Sequence, residues 1–596
     1  MSFPASTGTS RAISPRGFLF YGERRMPESD DSRAFPFSRG WTVLVLAGVF
    51  LLAFWLRVDG YRWGLPFRLH PDEWKYVSAA AECHRGQWNP KYFRNPPGFS
   101  YLTAAWYPLW LPFRSPVEIP SWLNIDPVWL KPSRNVEATY LYRPFDLVAG
   151  ARVLSAALGA LTAVVMFFLA REALPGLYAL GAAFLTALSF AQVRESHFAV
   201  NDPAMALLAT AALWVGLRWH RKGGPWLLGM AAALSGVAVA VKYNAFPVPL
   251  TLLGLRLARF WPRRSGESVR LLTRDCFLIG ALSGLFFLLI CPFPLLDTQT
   301  FLREMTLLRE AAAQPWAGQD PRWSLVQFLA AAWTSEGGSA LILAILGIAA
   351  AARERKGFLL VFPVLYGILI AVHPLFFVRF SLPVLPWISL FAAYGVSTLV
   401  SRFTHKEKIV YGMAGALFFA AGAEPLLKDL RSNHLLKQTD TRIECLRWFL
   451  TGERSPALIG TDQFAVPVVY RGIADVWTKP LDPRLVSIDG LPSDQLRQLD
   501  TLARVPVGYL VVSNFAPFTA RYPETYEKRR AAIQEFVGHD RPVRVFQPFT
   551  RPWIPQPADV EDTYSPFRNL WGRDRPGAVI EIYRREPVVR DPETRP

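Results

Sequence analysis

The stretch WTVLVLAGVFLLAFWLRVDGYRWGLPFRLHPDEWKYV, residues 41–77, decides how the chain must be read. Its first part, 41–57, is an apolar run near the roughly 20 residues a bilayer crossing requires. Soon afterwards the chain presents two adjacent carboxylates, Asp72 and Glu73. Charge beside a bilayer is ordinarily basic. An acidic pair at that place points to chemistry.

The same alternation of apolar run and charged loop continues through the chain. Runs long enough to cross, or nearly cross, a bilayer recur at 148–170, 175–193, 200–217, 226–242, 244–258, 275–292, 337–352, 358–373, 381–400 and 409–426. With 41–57 they predict a polytopic α-helical membrane protein of about eleven transmembrane helices. Residues 1–40 are rich in Ser, Pro and Arg without periodicity and read as a disordered cytoplasmic tail. The first apolar run begins too late for a typical signal peptide and reads as a retained anchor.

Loop charge sets the orientation. With residues 1–40 in the cytoplasm, the returning loops RWHRKGG (218–224), RLARFWPRRSGESVRLLTR (256–274), RERKG (353–357) and SRFTHKEK (401–408) are all basic, as the positive-inside rule requires. The formal net charge of +18 therefore reports topology. Nucleic acid is not among the expected partners, because the basic residues lie in separate loops and form no single face. Residues 41–427 then make a transmembrane catalytic domain with a first outer loop at 58–147. Residues 428–596 make an extracytoplasmic domain. Its helical TRIECLRWFL (441–450) and strand-like ALIGTD (457–462), VGYLVVSN (507–514) and AVIEIYRR (578–585) read as α/β. The four cysteines, Cys83, Cys276, Cys291 and Cys445, show no metal-ligand spacing. Cys276 reads as a buried small hydrophobe, and a disulfide among the other three stays open.

On this topology the informative polar residues share the outer face. HPDEWKY and NPPGFSYL (95–102) lie in the first loop, RESHFAVNDPA (194–204) in the second and KYNAFP (242–247) in the third. CPFPLLD (291–297) opens the fourth, and HPLFFVRFSLP (373–383) is the fifth. Each piece alone has an ordinary explanation. Acids in a first helical turn complement its dipole, Asp202 before Pro203 suits an N-cap, and Lys242 or Arg379 could snorkel. Together, carboxylates and cations at outer helix ends suit a reaction on a lipid-bearing phosphate: a carboxylate accepts a proton while cations hold the leaving group.

The order HPDEWKYV, NPPGFSYL, RESHFAVNDPAMALL, GVAVAVKYNAF, VRFSLPVLP and DTRIECLRWF (440–449) resembles the GT-C glycosyltransferases. The likeness is to the protein O-mannosyltransferase-like branch that includes the lipid A aminoarabinose transferases, and it covers roughly residues 41–450. It implies an inverting transfer of a sugar from a polyprenyl-phosphate donor to an acceptor hydroxyl. It assigns Asp72 as the catalytic base, Glu73 as its partner and Asp202 as the acid of the second outer loop. Lys242 and Arg379 match basic positions near the carrier phosphate, with Arg194, His197 and Tyr76 as further donor-binding candidates. Two departures leave the acceptor, whether protein, glycan or lipid, unidentified: the long stretch 115–146 and the lack of sugar-binding repeats in the C-terminal domain.

No Walker A loop, His-Glu-x-x-His or Gly-x-Ser-x-Gly occurs, which agrees with a lipid-linked donor. A divalent metal is compatible, since His70, Glu73, His197 and Asp202 could come together, but their spacing shows no site. A transporter or flippase of lipid-linked sugars is the competing class. Transporters bury ionisable residues near the midplane, whereas here the helix centres are nearly free of charge.

Overall fold

Every apolar run falls on helix in the computed structural model of the chain. The structure describes residues 39–123, 131–260, 266–313 and 324–452, then 458–461, 465–469, 485–487, 507–515, 537–539, 541–551 and 560–585, with positions 531 and 534. The expected cytoplasmic tail thus lies almost wholly outside the described residues, as do parts of the 115–146 and 256–274 loops.

In chain order the helices are α1 (Arg39–Val58), α2 (Glu73–Cys83), α3 (Gly98–Trp110), α4 (Val136–Tyr142), α5 (Pro144–Arg171), α6 (Gly176–Ala187) and α7 (Phe190–Ser196). Next come α8 (Asp202–Lys222), α9 (Pro225–Val241), α10 (Pro247–Phe260), α11 (Gly266–Ile290), α12 (Phe293–Leu296) and α13 (Thr298–Ala312). The last are α14 (Ser324–Glu336), α15 (Gly338–Arg353), α16 (Val361–Val372), α17 (Leu385–Phe403), α18 (Glu407–Leu436) and α19 (Thr441–Thr451). Among the described residues, four helices are long and apolar enough to cross a membrane: Gly40–Val58, Pro144–Arg171, Val269–Ile290 and Glu407–Thr451. Two bent pairs, α6 with α7 at 51° and α14 with α15 at 112°, raise the number to six if each is one span. Pro225–Val241 and Gly357–Val372 are apolar but shorter. Among the described residues, length and composition therefore give four to six spans, against the roughly eleven that the apolar runs predict.

The central element is α5, packed against α1, α6 and α8, while α15 lies along α17. The latter pair meets backbone to backbone, for a Cβ on Gly347 would come 1.8 Å from the Phe391 carbonyl oxygen. Only glycine permits that approach. At one end of the bundle, Glu172 after α5 accepts from Arg221 of α8 at 3.0 Å, and Lys356 after α15 donates to the Ala173 carbonyl at 3.3 Å. Two of the basic loops, 218–224 and 353–357, thus meet at a common end. The acidic motif lies at the other end of α5.

Beyond α18, which runs past the boundary expected at 428, a five-stranded sheet forms. Its strands are β2 (Leu458–Thr461), β4 (Leu485–Ser487), β5 (Val507–Ser513), β6 (Arg544–Phe546) and β7 (Ile580–Arg584), in the order β4-β2-β5-β7-β6. The first three run parallel, and β7 and β6 are antiparallel to their neighbours. With α19 packed on β6 and β7 this is the expected α/β arrangement. A separate two-stranded pair joins β1 (Phe67–Arg68), just before the acidic motif, to β3 (Val468–Val469). All four cysteines are free, so no disulfide links Cys83, Cys291 and Cys445. Cys276 is half-buried, more open than a lone thiol at the start of an apolar run suggested.

Candidate active site

The acidic pair divides at once. Helix α2 begins at Glu73, and Asp72 occupies the N-cap position, yet its side chain makes no capping bond. Asp72 therefore does not serve as a cap, although its charge still lies at the start of α2. Instead Asp72 Oδ1 accepts from Lys75 Nζ at 2.9 Å, and its Oδ2 accepts from Arg379 Nη1. Its backbone N–H donates to His70 Nδ1 at 3.1 Å, which fixes the turn. Burial alone would raise the Asp72 carboxyl, but Arg379 and Lys75 override it and hold it well below the usual carboxylate range. Asp72 and Arg379 keep 21 % and 17 % of their side chains exposed, so a substrate can reach both.

Glu73 points elsewhere, as neighbours about 100° apart on a helix must. Its two oxygens accept from Arg152 Nε and Nη2 of α5 at 2.6 and 2.8 Å, and Oε1 also accepts from the Ala199 N–H at 2.8 Å. Both partners are fully buried. Arg152 also donates to the carbonyls of Tyr61 and Trp63, binding the start of the first loop to the bundle. Burial favours protonation of Glu73, and Arg152 reverses that, leaving the carboxyl below its ordinary value.

Asp202 is the first residue of α8. Asn201 precedes it as the N-cap but makes no side-chain cap bond, and its Nδ2 donates instead to the Val241 carbonyl at 2.9 Å. Asp202 Oδ1 accepts from Lys242 Nζ at 2.5 Å, with 2 % and 9 % of the two side chains exposed. A snorkelling lysine would reach for water, so Lys242 is not one. Its ammonium lies 5.2 Å from the ring centroid of Phe380, next to Arg379. Asp72, Asp202, Lys242, Arg379 and Tyr76 act on one another electrostatically and form one cluster. The Tyr76 hydroxyl donates to Asn95 Oδ1 of the NPPGF segment at 3.1 Å. Burial, with the Asp72 carboxylate beside it, pushes this phenol well above its usual range, so it stays a donor. Gly98 of that segment lets α3 close on the end of α9, since a Cβ there would lie 2.6 Å from the Ala240 carbonyl oxygen.

Two expected donor-binding residues are engaged elsewhere. Arg194, fully buried, pairs with Glu195 and donates to the carbonyls of Glu561 and Ser565. The His197 ring nitrogens face the carbonyls of Val193 and Asp59 at 2.9 and 3.1 Å. Residues the sequence did not single out also enter. Lys75 lies within the quoted motif itself. Arg152 had a signal, a cation inside an apolar run. Glu561 and Tyr564 had none, because only folding brings the C-terminal domain here. The Tyr564 ring packs on His70, with centroids 4.5 Å apart.

The four residues considered as ligands for a divalent metal do not come together. Among the described residues no group of three or more His, Cys, Asp or Glu is placed to hold one. Of the four ligands considered, Glu73 and Asp202 each face a cation and both His197 nitrogens face carbonyls, so they form no common donor set.

Residues 136–308 match the sequence family described as dolichyl-phosphate-mannose-protein mannosyltransferase. No curated protein matches the chain. Among solved structures, the apo oligosaccharyltransferase of Archaeoglobus fulgidus is similar at 13 % identity and a TM-score of 0.51, over 83 % of this chain and 73 % of its own. ArnT from Cupriavidus metallidurans bound to undecaprenyl phosphate aligns at 13 % identity and a TM-score of 0.45, over 82 % and 94 %. The Saccharomyces cerevisiae Pmt1–Pmt2 protein O-mannosyltransferase complex bound to its sugar donor aligns at 18 % identity and 0.34, over 46 % and 35 %. Together these likenesses show a GT-C fold, and the matched segment is similar to a family of glycosyltransferases. The matched segment, less than half of the chain, runs from α4 through α9, with Arg152, Asp202 and Lys242, into α13.

Proposed function

We propose that the protein moves a sugar from a polyprenyl-phosphate donor to an acceptor hydroxyl at the outer face of the cell membrane, with inversion at the anomeric carbon. The observation that carries this reading is the Asp72 carboxylate, partly exposed and bracketed by Arg379 and Lys75, with Lys242 alongside. Unliganded, so strongly paired a carboxylate is a weak base. A donor phosphate competes for the same cations. Once Arg379 turns to the phosphate, Asp72 regains basicity where a proton must be accepted.

The acceptor oxygen then attacks the anomeric carbon opposite the phosphate while its proton passes to Asp72. The C–O bond to the carrier breaks with its electron pair on the phosphate oxygen, held by Arg379 and Lys242. Glu73 and Arg152 hold the first loop on α5, and Arg194 and His197 serve as structural anchors. The donor class is supported by the matched family and by the resemblance of the ordered motifs. No observation favours transport of lipid-linked sugars.

Membranes containing the protein, incubated with a panel of radiolabelled polyprenyl-phosphate sugars, test this reading. Sugar released or transferred only when the protein is present, and lost in Asp72→Asn, is the expected result. The orientation has its own test in cysteine scanning with an impermeant external reagent, which should label positions in 70–100 and 560–585 and spare 218–224 and 353–357. Labelling of 560–585 only from the cytoplasmic side would overturn the topology.

A further inference from the structure

The C-terminal domain reaches into the cluster through one short segment. A 3-10 helix at Val560–Thr563 carries Glu561, which is buried at 4 % exposure. Its Oε1 accepts from the Val378 N–H at 2.8 Å. Its Oε2 lies 3.3 Å from Arg194 Nη1 and 3.4 Å from the Tyr564 hydroxyl, and its carbonyl accepts from Arg194 Nη2. Val378 opens the 3-10 helix Val378–Ser381, whose second residue is Arg379.

The first N–H groups of a helix have no partner within it, and a carboxylate there is both an acceptor and a favourable charge. Glu561 fills that place for the turn that presents Arg379. Two other pins hold the later part of the same segment: Tyr366 donates to the Phe380 carbonyl at 2.9 Å and Gln192 to the Leu382 carbonyl at 2.6 Å. Both come from the helical bundle. On the N-terminal side the pin is Glu561, from a residue 183 positions away in sequence. Arg194, buried beneath, holds the Glu561 segment by its backbone at Glu561 and Ser565.

We propose that Glu561 is a positioning residue for Arg379, so that the C-terminal domain sets the geometry of the guanidinium that meets Asp72 and the donor phosphate. This inference rests on the reading of Arg379 as a phosphate-binding group. The domain is then part of the reaction site through its carboxylate.

The test uses the full-length purified protein and two readouts. Hydrogen exchange in peptides covering 374–382 needs no activity. Glu561→Ala should speed exchange at Val378 at least about tenfold, whereas Glu561→Gln, whose amide oxygen still accepts, should stay near wild type. The second readout is the KM for a radiolabelled polyprenyl-phosphate sugar in a double-mutant cycle with Arg379→Lys. Glu561→Ala should raise KM about tenfold in the wild-type background and change it less than about twofold beside Arg379→Lys. Unchanged exchange at Val378 overturns the proposal, and so do additive effects in the cycle. A fall of Glu561→Gln to the level of Glu561→Ala also overturns it, because the ion pair of Glu561 with Arg194 would then be what matters.

Should Glu561→Ala fail to fold, Val378→Pro removes the same bond from its donor side. Proline is compatible with a first helical position, and Phe377 before it is already extended at φ −126° and ψ 148°. It should raise KM as Glu561→Ala would, and wild-type KM in that variant overturns the proposal. If the wild type transfers no sugar, the functional reading fails on its own, while the exchange arm still reads the Glu561–Val378 bond.

Discussion

Arg379 closes an ion pair on Asp72 across 307 residues of sequence, joining the fifth expected outer loop to the first. The pair is partly open to solvent, and it ties the two candidate roles together: the base is quenched by the group that takes the phosphate. Asp72→Asn removes the proton acceptor and keeps the shape. Turnover should fall at least about a hundredfold, with donor binding equal or tighter because Arg379 is released. Single-turnover transfer and equilibrium donor binding, measured on one preparation, check both halves. Near-normal turnover in Asp72→Asn together with its loss in Glu73→Gln would exchange the roles of the pair.

Glu73 is assigned a different consequence. Its carboxylate is fully buried against Arg152, and removing one partner leaves an uncompensated charge at a cost of about 3–5 kcal/mol. Glu73→Gln should therefore lower thermal stability markedly, while the protein that remains folded keeps most of its turnover. A variant of wild-type stability with no activity would make Glu73 a participant in the chemistry.

Lys242 combines both effects, because it is buried on Asp202. Lys242→Met alone strands the Asp202 carboxylate, so its loss of folded protein says nothing about the donor. Asp202→Asn combined with Lys242→Met removes both charges and should recover much of the yield. Donor binding should nevertheless stay about ten- to a hundredfold weaker, the worth of a charge-assisted bond to phosphate at roughly 1.5–3 kcal/mol. Wild-type donor affinity in the double variant would leave Lys242 a purely structural partner of Asp202.

These contacts also show how far the sequence could be read. Apolar runs mark helices because backbone polar groups in lipid must be satisfied within a segment, so α1 and α5 were evident from residues alone. The motif order led to Asp72, Asp202, Lys242 and Arg379, which do share one cluster. What each carboxylate pairs with was not legible. The resemblance ranked Asp72 above Glu73, but by residue type the two are alike, and it is the placement of Arg152 within α5 and of Arg379 beyond α16 that gives them different partners. Glu561 is the extreme case, a surface-like Glu in PADVEDTYS that folding buries beside Val378.

His70 yields a prediction about pH. Its ring is fully buried between Phe198 and Tyr564, and its Nδ1 accepts from the Asp72 N–H, so a neutral ring is the form that fits. Burial pushes its pKa down to about 3, against the pull of Glu73 and Asp72 and with Arg379 and Arg152 adding to the shift. An unfolded histidine titrates at about 6.5, so between the two values the unfolded chain binds the extra proton. A folded pKa below the unfolded one makes stability complete above about 6.5 and progressively weaker as pH falls toward 3. At a pH near 5 the loss should be about 2 kcal/mol, from the roughly 1.4 kcal/mol that each unit is worth. His70→Asn keeps an acceptor for the Asp72 N–H and cannot take up the proton. Thermal unfolding of both proteins at pH 7 and pH 5 isolates this contribution from the carboxylates, which are common to both. The drop on acidification should be smaller in His70→Asn. An equal drop would mean that the His70 ring accepts a proton within the fold, and that the turn before Asp72 tolerates a charged imidazole.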